Sequence, residues 1–287
     1  MINVSLNVRR AVPEDRLQVA NLGMYEANIH RHLDWRSAFD WLGSPNYWVM
    51  EEAGRITAAL SCPEDPPHTA WIRLFGHQPH LTAPEAWSTL WSVACREVLS
   101  ASPKTQIAAI VVKQWFQRIL LASGFESKQN IILLQLDPAN IRNFPVPPQM
   151  RIRPMLETDL PAVTAVDLEA FGPFWHNTID SLSRARMQAI HATVAEDASG
   201  LIGYQISTGN PFGAHLARLG VRVEAQGRGV GTALVGDLIQ QLGGEQLGRV
   251  SVNTQSDNAV SLALYQKMGF KQTGEYFPVL VYPSGSR

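Results

Sequence analysis

The chain has 287 residues, enough for two domains of ordinary size, and its 45% hydrophobic and 17% charged residues give no compositional ground for disorder. With 24 basic and 25 acidic residues the formal net charge is -1, so the sequence carries no overall electrostatic footprint for nucleic acid or an anionic membrane. The two cysteines, Cys62 and Cys95, cannot form a thiolate cage, no window has the apolar run of a transmembrane helix, and the opening MINVSLNVRRAVPED lacks an apolar signal core, so a reduced cytoplasmic protein is expected.

In chain order, VRRAVPEDRLQVANL, Val8 to Leu22, reads as a short strand, an acidic turn and a helix. The stretch IRPMLETDLPAVTAV, Ile152 to Val166, reads the same way, with Arg153 standing where Arg9 stands. Farther along, ILLASGF ends on Phe125 and LYQKMGF on Phe270, 145 residues later and at nearly the interval that relates the two arginines. Two matches at nearly one interval predict two copies of one domain. The join falls in DPANIRNFPVPPQM, Asp137 to Met150, where four prolines favour an extended linker. The expected boundaries are residues 1–137 for the first domain, 138–149 for the linker and 150–287 for the second domain.

The second copy begins with a strand near Met150 to Arg153, a helix from about Glu157 to Phe171 and another around Asn177 to Ile190. ATVAED, GLIGYQIST and AHLARLGVRV then read as strands. TALVGDLIQQL places Leu234, Val235, Leu238, Ile239 and Leu242 on one helical face, and Gly243 and Gly244 end that helix. A strand in GRVSVNT precedes a helix from Asn258 to Met268 with Gly269 as its cap, and GFKQTGEY and PVLVY read as two adjacent final strands. The expected fold class is α/β in the broad sense (α+β), a mixed central sheet flanked by helices in each of two tandem domains.

The stretch VEAQGRGVGTALV, Val223 to Val235, places three glycines within five residues at a helix entrance. Each glycine costs helix stability, so the cluster needs a reason: a tight strand-to-helix turn, or a cradle of backbone amides for a phosphate. A P-loop is excluded because Thr232 and Ala233 follow Gly231 with no lysine, and a GxGxxG dinucleotide fingerprint fails because Thr232 and Leu234 stand where its last glycine belongs.

Gln226, Gly229 and Gly231 instead spell Q/RxxGxG/A, which resembles the pyrophosphate-binding motif of the GNAT superfamily of N-acetyltransferases. LGVRVEA resembles that family's fourth strand, and NTQSDNAVSLALYQKMGF, Asn253 to Phe270, its fifth strand and following helix. The first copy departs from the pattern: LTAPEAWSTLWSVA has no glycine, and Leu120 and Lys113 stand opposite Tyr265 and Asn258. The resemblance therefore implies two tandem GNAT-like acyl-CoA N-acyltransferase domains, with a degenerate N-terminal copy.

What the resemblance implies chemically is transfer of acetyl from acetyl-CoA to a primary amine by direct attack. The backbone of Gln226, Gly227, Arg228, Gly229, Val230, Gly231 and Thr232 would bind the pyrophosphate, and backbone amides at Leu219, Val221 and Val223 the pantetheine arm and acetyl carbonyl. Tyr265 would be the general acid that protonates the CoA thiolate; taken alone it reads as a helix tyrosine packed on the sheet. Asn258 reads either as a cofactor contact or as a helix N-cap. For the general base, Glu224, Glu169, Glu196 and a relayed water are alternatives that the sequence does not separate. Phe171, Phe174, Trp175 and His176 lie where acceptors bind in this family, and also suit core packing. HRH and HQPH lack partner ligands, so no metal is expected. The competing function is a non-catalytic acyl-CoA sensor that keeps the cradle without turnover.

Overall fold

The computed structural model describes residues 6–32, 34–137, 144–210, 213–241 and 248–283. Two compact units divide the chain, one of residues 1–128 with 277–287 and the other of residues 129–276. The helix end expected at Gly243 and Gly244 and the first half of the linker, 138–143, lie outside the described residues.

The first unit runs β1 (Leu6–Arg10), α1 (Arg16–Leu22), β2 (Ile29–Arg31), β3 (Tyr47–Glu52), β4 (Arg55–Ser61), β5 (Thr69–Trp71), β6 (Leu74–His77), α2 (Ala83–Ala101), β7 (Gln106–Ile110), α3 (Gln114–Ala122) and the start of β8 (Glu126–Leu136). Its antiparallel sheet has the order β1-β3-β4-β6-β2, while β5 pairs in parallel with β7. The glycine-free stretch LTAPEAWSTLWSVA forms the start of α2. Thr82 and Glu85 cap that helix reciprocally, and Ala86, Trp87, Leu90, Trp91, Ala94 and Val98 form its buried stripe.

The second unit continues with β9 (Arg151–Pro154), α4 (Leu160–Trp175), α5 (Ile179–Gln188), β10 (His191–Asp197), β11 (Gly200–Asn210), β12 (Gly213–Val221), α6 (Val230–Gln241), β13 (Arg249–Gln255), α7 (Ala259–Met268) and the start of β14 (Lys271–Tyr282). Within it the sheet order is β14-β8-β13-β12-β11-β10-β9. Only the β12-β13 pair among β9 to β13 is parallel. Its core packs Leu134, Leu136, Leu216, Val235, Leu238, Ile239, Val250 and Val252 between sheet and helices.

The two final strands expected from the sequence are one continuous strand, because Phe277 and Pro278 carry the extended backbone across the junction. Its end, Val279–Tyr282, pairs with β7 in the first unit, whereas residues 131–136 of β8 pair with β13 in the second. Residues 129–136, placed by the sequence reading in the first domain, thus belong to the second unit, and residues 277–287 to the first. Each half of the sequence thus contributes part of its last strand to the unit formed by the other half.

The repeat is visible in side chains as well. In the first unit Arg9 donates to both oxygens of Asp15 (2.7 and 2.8 Å) and to Glu51 (2.8 Å), and Asp15 accepts from Val12 N–H (2.9 Å). In the second, Arg153 donates to both oxygens of Asp159 (2.6 and 2.9 Å) and to Glu196 (3.0 Å), and Asp159 accepts from Leu156 N–H (2.8 Å). The same clamp fastens the first strand to the first helical turn in both copies.

Candidate functional site

Where β12 and β13 part, the second unit opens. β12 pairs with β11 from Gly213 to Val221 but with β13 only from Gly213 to Leu216. The register against β11 shifts between Ile206 and Ser207, which leaves Ala217 as a bulged residue. Beyond the bulge, Arg222 N–H donates to Ile202 C=O at 2.9 Å. By antiparallel alternation, the polar backbone groups of Arg218 and Gly220 face β11, and those of Leu219 and Val221 face the side that β13 has left. Val221 C=O there accepts from Gln226 Nε2 at 3.3 Å.

A 3-10 turn, Val223–Ala225, leads from this open strand into the glycine segment. Gly227 and Gly229 have φ of 76° and 84°, a region that L side chains enter at a cost, so the turn itself demands glycine. Among the described residues, none accepts a hydrogen bond from the amides of residues 227–232; Ala233 is the first to be paired, donating to Gly229 C=O at 2.9 Å. These N–H groups sit at the positive end of α6. Val230 is buried in the core and Thr232 is half-buried on the first turn of the helix. A Cβ on Gly231 would stand 3.1 Å from Leu264 Cδ2, 3.8 Å from Leu219 Cδ2 and 3.9 Å from Val221 Cγ2. The glycine turn, the open strand and α7 therefore converge on Gly231. Arg228 is held beside the turn by Asp197 at 2.7 Å, and hydrogen bonds from Ser199, reinforced by Arg228, hold the Asp197 carboxyl down to about 2.

Tyr265, on α7, is 4% exposed and packs with Leu216, Val252, Met268 and Phe270. Burial raises its phenol pKa well above the ordinary value, so the hydroxyl is a donor throughout the neutral range, and it has no hydrogen-bond partner among the described residues. Asn258 is the N-cap of α7: its Oδ1 accepts from Ser261 N–H at 3.0 Å, and its Nδ2 donates to Gln255 Oε1 at 3.4 Å. Of its two sequence readings, the structure shows the cap. Val223 lies outside β12, and its N–H donates to Glu169 Oε1 at 2.6 Å because the chain has turned into the 3-10 segment, unlike the open amides of Leu219 and Val221. Glu169 also pairs with Arg222 at 3.1 Å, Glu196 with Arg153, and Glu224 is exposed.

A buried hub that sequence reasoning missed lies on the other face of the sheet. Asp167 of α4 is fully buried and accepts from Arg218 Nε (2.7 Å) and Nη2 (2.9 Å), from Asn177 N–H (2.5 Å) and from the Tyr204 hydroxyl. Arg218 also donates to Trp175 C=O at 2.7 Å, and its guanidinium carbon sits 3.4 Å from the centroid of the Phe171 ring. Gly172, with φ of 71°, breaks α4 so that Pro173 to Trp175 turn toward this hub. Phe171 and Trp175 are thereby fixed by one acid and one arginine, while His176 Nδ1 meets Pro173 C=O at 3.1 Å. The visible signal was a lone arginine inside the apolar strand AHLARLGV and a lone aspartate inside the apolar helix PAVTAVDLEAF.

The first unit treats the corresponding strand differently. Leu74, Phe75 and Gly76 stand 145 residues before Leu219, Gly220 and Val221. They pair with Arg31, His30 and Ile29, so β2 occupies the edge that is open in the second unit. A Cβ on Gly76 would lie 3.2 Å from Ile29, and the His30 ring stacks on Phe116 at 4.2 Å. Burial pushes the His30 imidazole down to about 3, so it is neutral there.

Residues 158–270 match the model of the Acetyltransferase (GNAT) family. A tandem GNAT protein from the clavulanic acid biosynthesis pathway is similar over 99% of this chain and 100% of its own, with 18% identity and a TM-score of 0.67. The chain has the fold of tandem GNAT proteins, and its residues 158–270 carry the match to the family. Its fold is shared also by a GCN5-related N-acetyltransferase from Sphaerobacter thermophilus, at 15% identity over 98% of both chains and a TM-score of 0.63. A third similar structure is a conserved protein of unknown function from Enterococcus faecalis V583, described as a probable N-acyltransferase. It is 10% identical, covers 97% of this chain and 72% of its own, and has a TM-score of 0.72. At these identities the solved structures speak for the fold alone, and no curated protein matches the sequence significantly. A GNAT fold supports acyl transfer in general, with an acyl-CoA cosubstrate and an amine acceptor. Among the described residues, no three His, Cys, Asp or Glu side chains gather as a metal site, and no helix is long and apolar enough to cross a membrane.

Proposed function

We propose that the second unit binds acetyl-CoA and transfers its acetyl group to a primary amine within a ternary complex, and that the first unit takes no cofactor. The observation that carries this reading is the convergence of the open strand edge at Leu219 and Val221 with the unpaired amides of residues 227–232. Those amides and Gln226 suit the CoA pyrophosphate, an anion at a helix N-terminus. The inward-facing N–H groups of Leu219 and Val221 suit the pantetheine arm and the acetyl carbonyl, which gains negative charge as the amine attacks. Tyr265 would give its proton to the departing thiolate. Val223 and Asn258 contribute by shaping the turn and starting α7, since their polar groups already have partners.

Two features support confinement to the second unit. In the first, β2 already satisfies the strand edge that pantetheine would need, and the glycine turn has no counterpart at the start of α2. Direct attack is supported by the cysteines: both lie in the first unit, and burial pushes the Cys62 thiol up to about 12, the opposite of an activated nucleophile. We place the protein in the cytoplasm on its cysteines, since Cys62 and Cys95 are both free thiols.

The test is Tyr265→Phe in the full chain, assayed for acetyl-CoA binding and for thiol release with a panel of primary amines. Retained binding with lost turnover supports an enzyme. Absence of turnover in both the parent and the variant, with binding intact, supports a sensor instead.

A further inference from the structure

We propose that His215 is the proton acceptor for the attacking amine, directly or through one water, and that Ser251 fixes it in the tautomer this requires. The inference rests on the acyl-transfer reading above and supplies the base that the sequence left open among Glu169, Glu196 and Glu224.

Position comes first. His215 and Ser251 are directly opposed in the parallel β12-β13 pair, and the next rung, Leu216 with Val252, is the last before the strands part. The imidazole therefore stands at the root of the opening. Leu216 packs into the core under α6 and α7, so the neighbouring His215 projects from the opposite face, which also carries the Asp167–Arg218 hub. His215 is half-buried, neither sealed in the core nor free in solvent.

The hydrogen bonds then set the protonation state. Ser251 Oγ lies 2.9 Å from His215 Nδ1 and 3.4 Å from Ala214 C=O; in the proposed arrangement the hydroxyl donates to Ala214 C=O and its oxygen accepts from His215 Nδ1–H. The proton on Nδ1 leaves the Nε2 lone pair available. Burial holds the imidazole below its ordinary value, so it is neutral at neutral pH. The charged groups on the elements packed on this face are compensated. Arg218 of β12 is matched by Asp167 of α4, to which Tyr204 of β11 also donates, and Arg186 and Arg184 of α5 by Glu157 and Asp180. By contrast, Glu169 and Glu196 already hold arginines.

The step balances without a further reactant. The amine nitrogen bonds to the acetyl carbon, the carbon–sulfur bond breaks, the nitrogen's proton passes to His215 Nε2, and the thiolate takes a proton from Tyr265. Solvent returns the imidazolium proton to the phenolate.

The experiment uses the full chain, acetyl-CoA and the panel amine that gives the fastest thiol release. His215→Gln is expected to lower kcat/KM for that amine by about 100-fold at pH 7 and to remove an ionisation below about pH 6.5 from the pH profile, with acetyl-CoA affinity unchanged. Ser251→Ala is expected to retain more activity and to shift that ionisation. An unchanged pH profile in His215→Gln overturns the proposal, as does a 15N NMR spectrum showing the neutral His215 protonated on Nε2. If the parent protein binds acetyl-CoA but turns over no panel amine, the acyl-transfer reading fails with it, whereas parent turnover with an unchanged variant profile removes His215 alone.

Discussion

Arg218 and Asp167 form a two-pronged ion pair inside the second unit, Nε to Oδ2 at 2.7 Å and Nη2 to Oδ1 at 2.9 Å, with the carboxylate fully buried. One pair thus joins the strand that opens to the helix whose broken end carries Phe171 and Trp175. Removing one partner strands the other charge away from water. Asp167→Asn is expected to destabilise the protein by about 3–5 kcal/mol, and Asp167→Leu combined with Arg218→Met by much less. Urea unfolding of both variants checks this.

For Tyr265 the effect should fall on turnover and not on binding. The variant Tyr265→Phe keeps the ring packed against Phe270, centroids 5.5 Å apart, and removes only the hydroxyl. A drop in kcat of about 10²–10⁴ is expected, with the acetyl-CoA Kd within about twofold of the parent. Calorimetry alongside steady-state kinetics separates the two quantities.

Gly227 isolates backbone strain from crowding. A Cβ there meets nothing within 4 Å, yet φ is 76°. Gly227→Ala should therefore cost about 1–2 kcal/mol through conformation alone. A change in Tm of the isolated variant, without ligand, measures it.

Acid stability should depend on the repeated arginine clamps. Hydrogen bonds from Arg9 and Arg153 hold the Asp15 and Asp159 carboxyls below the usual carboxylate range in the folded protein. Their stabilisation is fully present above the unfolded value of about 3.9 and is lost as pH falls below it toward the folded values. Asp159→Asn should lower stability at pH 7 and leave a shallower decline between about pH 5 and pH 2. Denaturant midpoints across that range test the slope.

The sequence revealed the doubling through Arg9 and Arg153, and pointed to the candidate site through the glycines at 227, 229 and 231. Those signals are local, because the positive φ at Gly227 and Gly229 must be written in glycine. The exchange of end strands was hidden, since ESKQNIILLQL and PVLVY declare themselves strands without naming a partner. β2, three residues long, is too short to show a period, so its place along β6 was equally invisible. Asp167, Arg218, His215 and Ser251 meet only through the register of β12, and a register is set by the whole sheet.

The most direct test of the account is calorimetric titration of the full chain with acetyl-CoA, read for stoichiometry. One site per chain, abolished by Gly229→Glu, is the predicted result, because only the second unit combines an open strand edge with an unpaired glycine turn. Two sites would contradict the closure of the first unit by β2, and no binding would contradict the acetyl-CoA site itself.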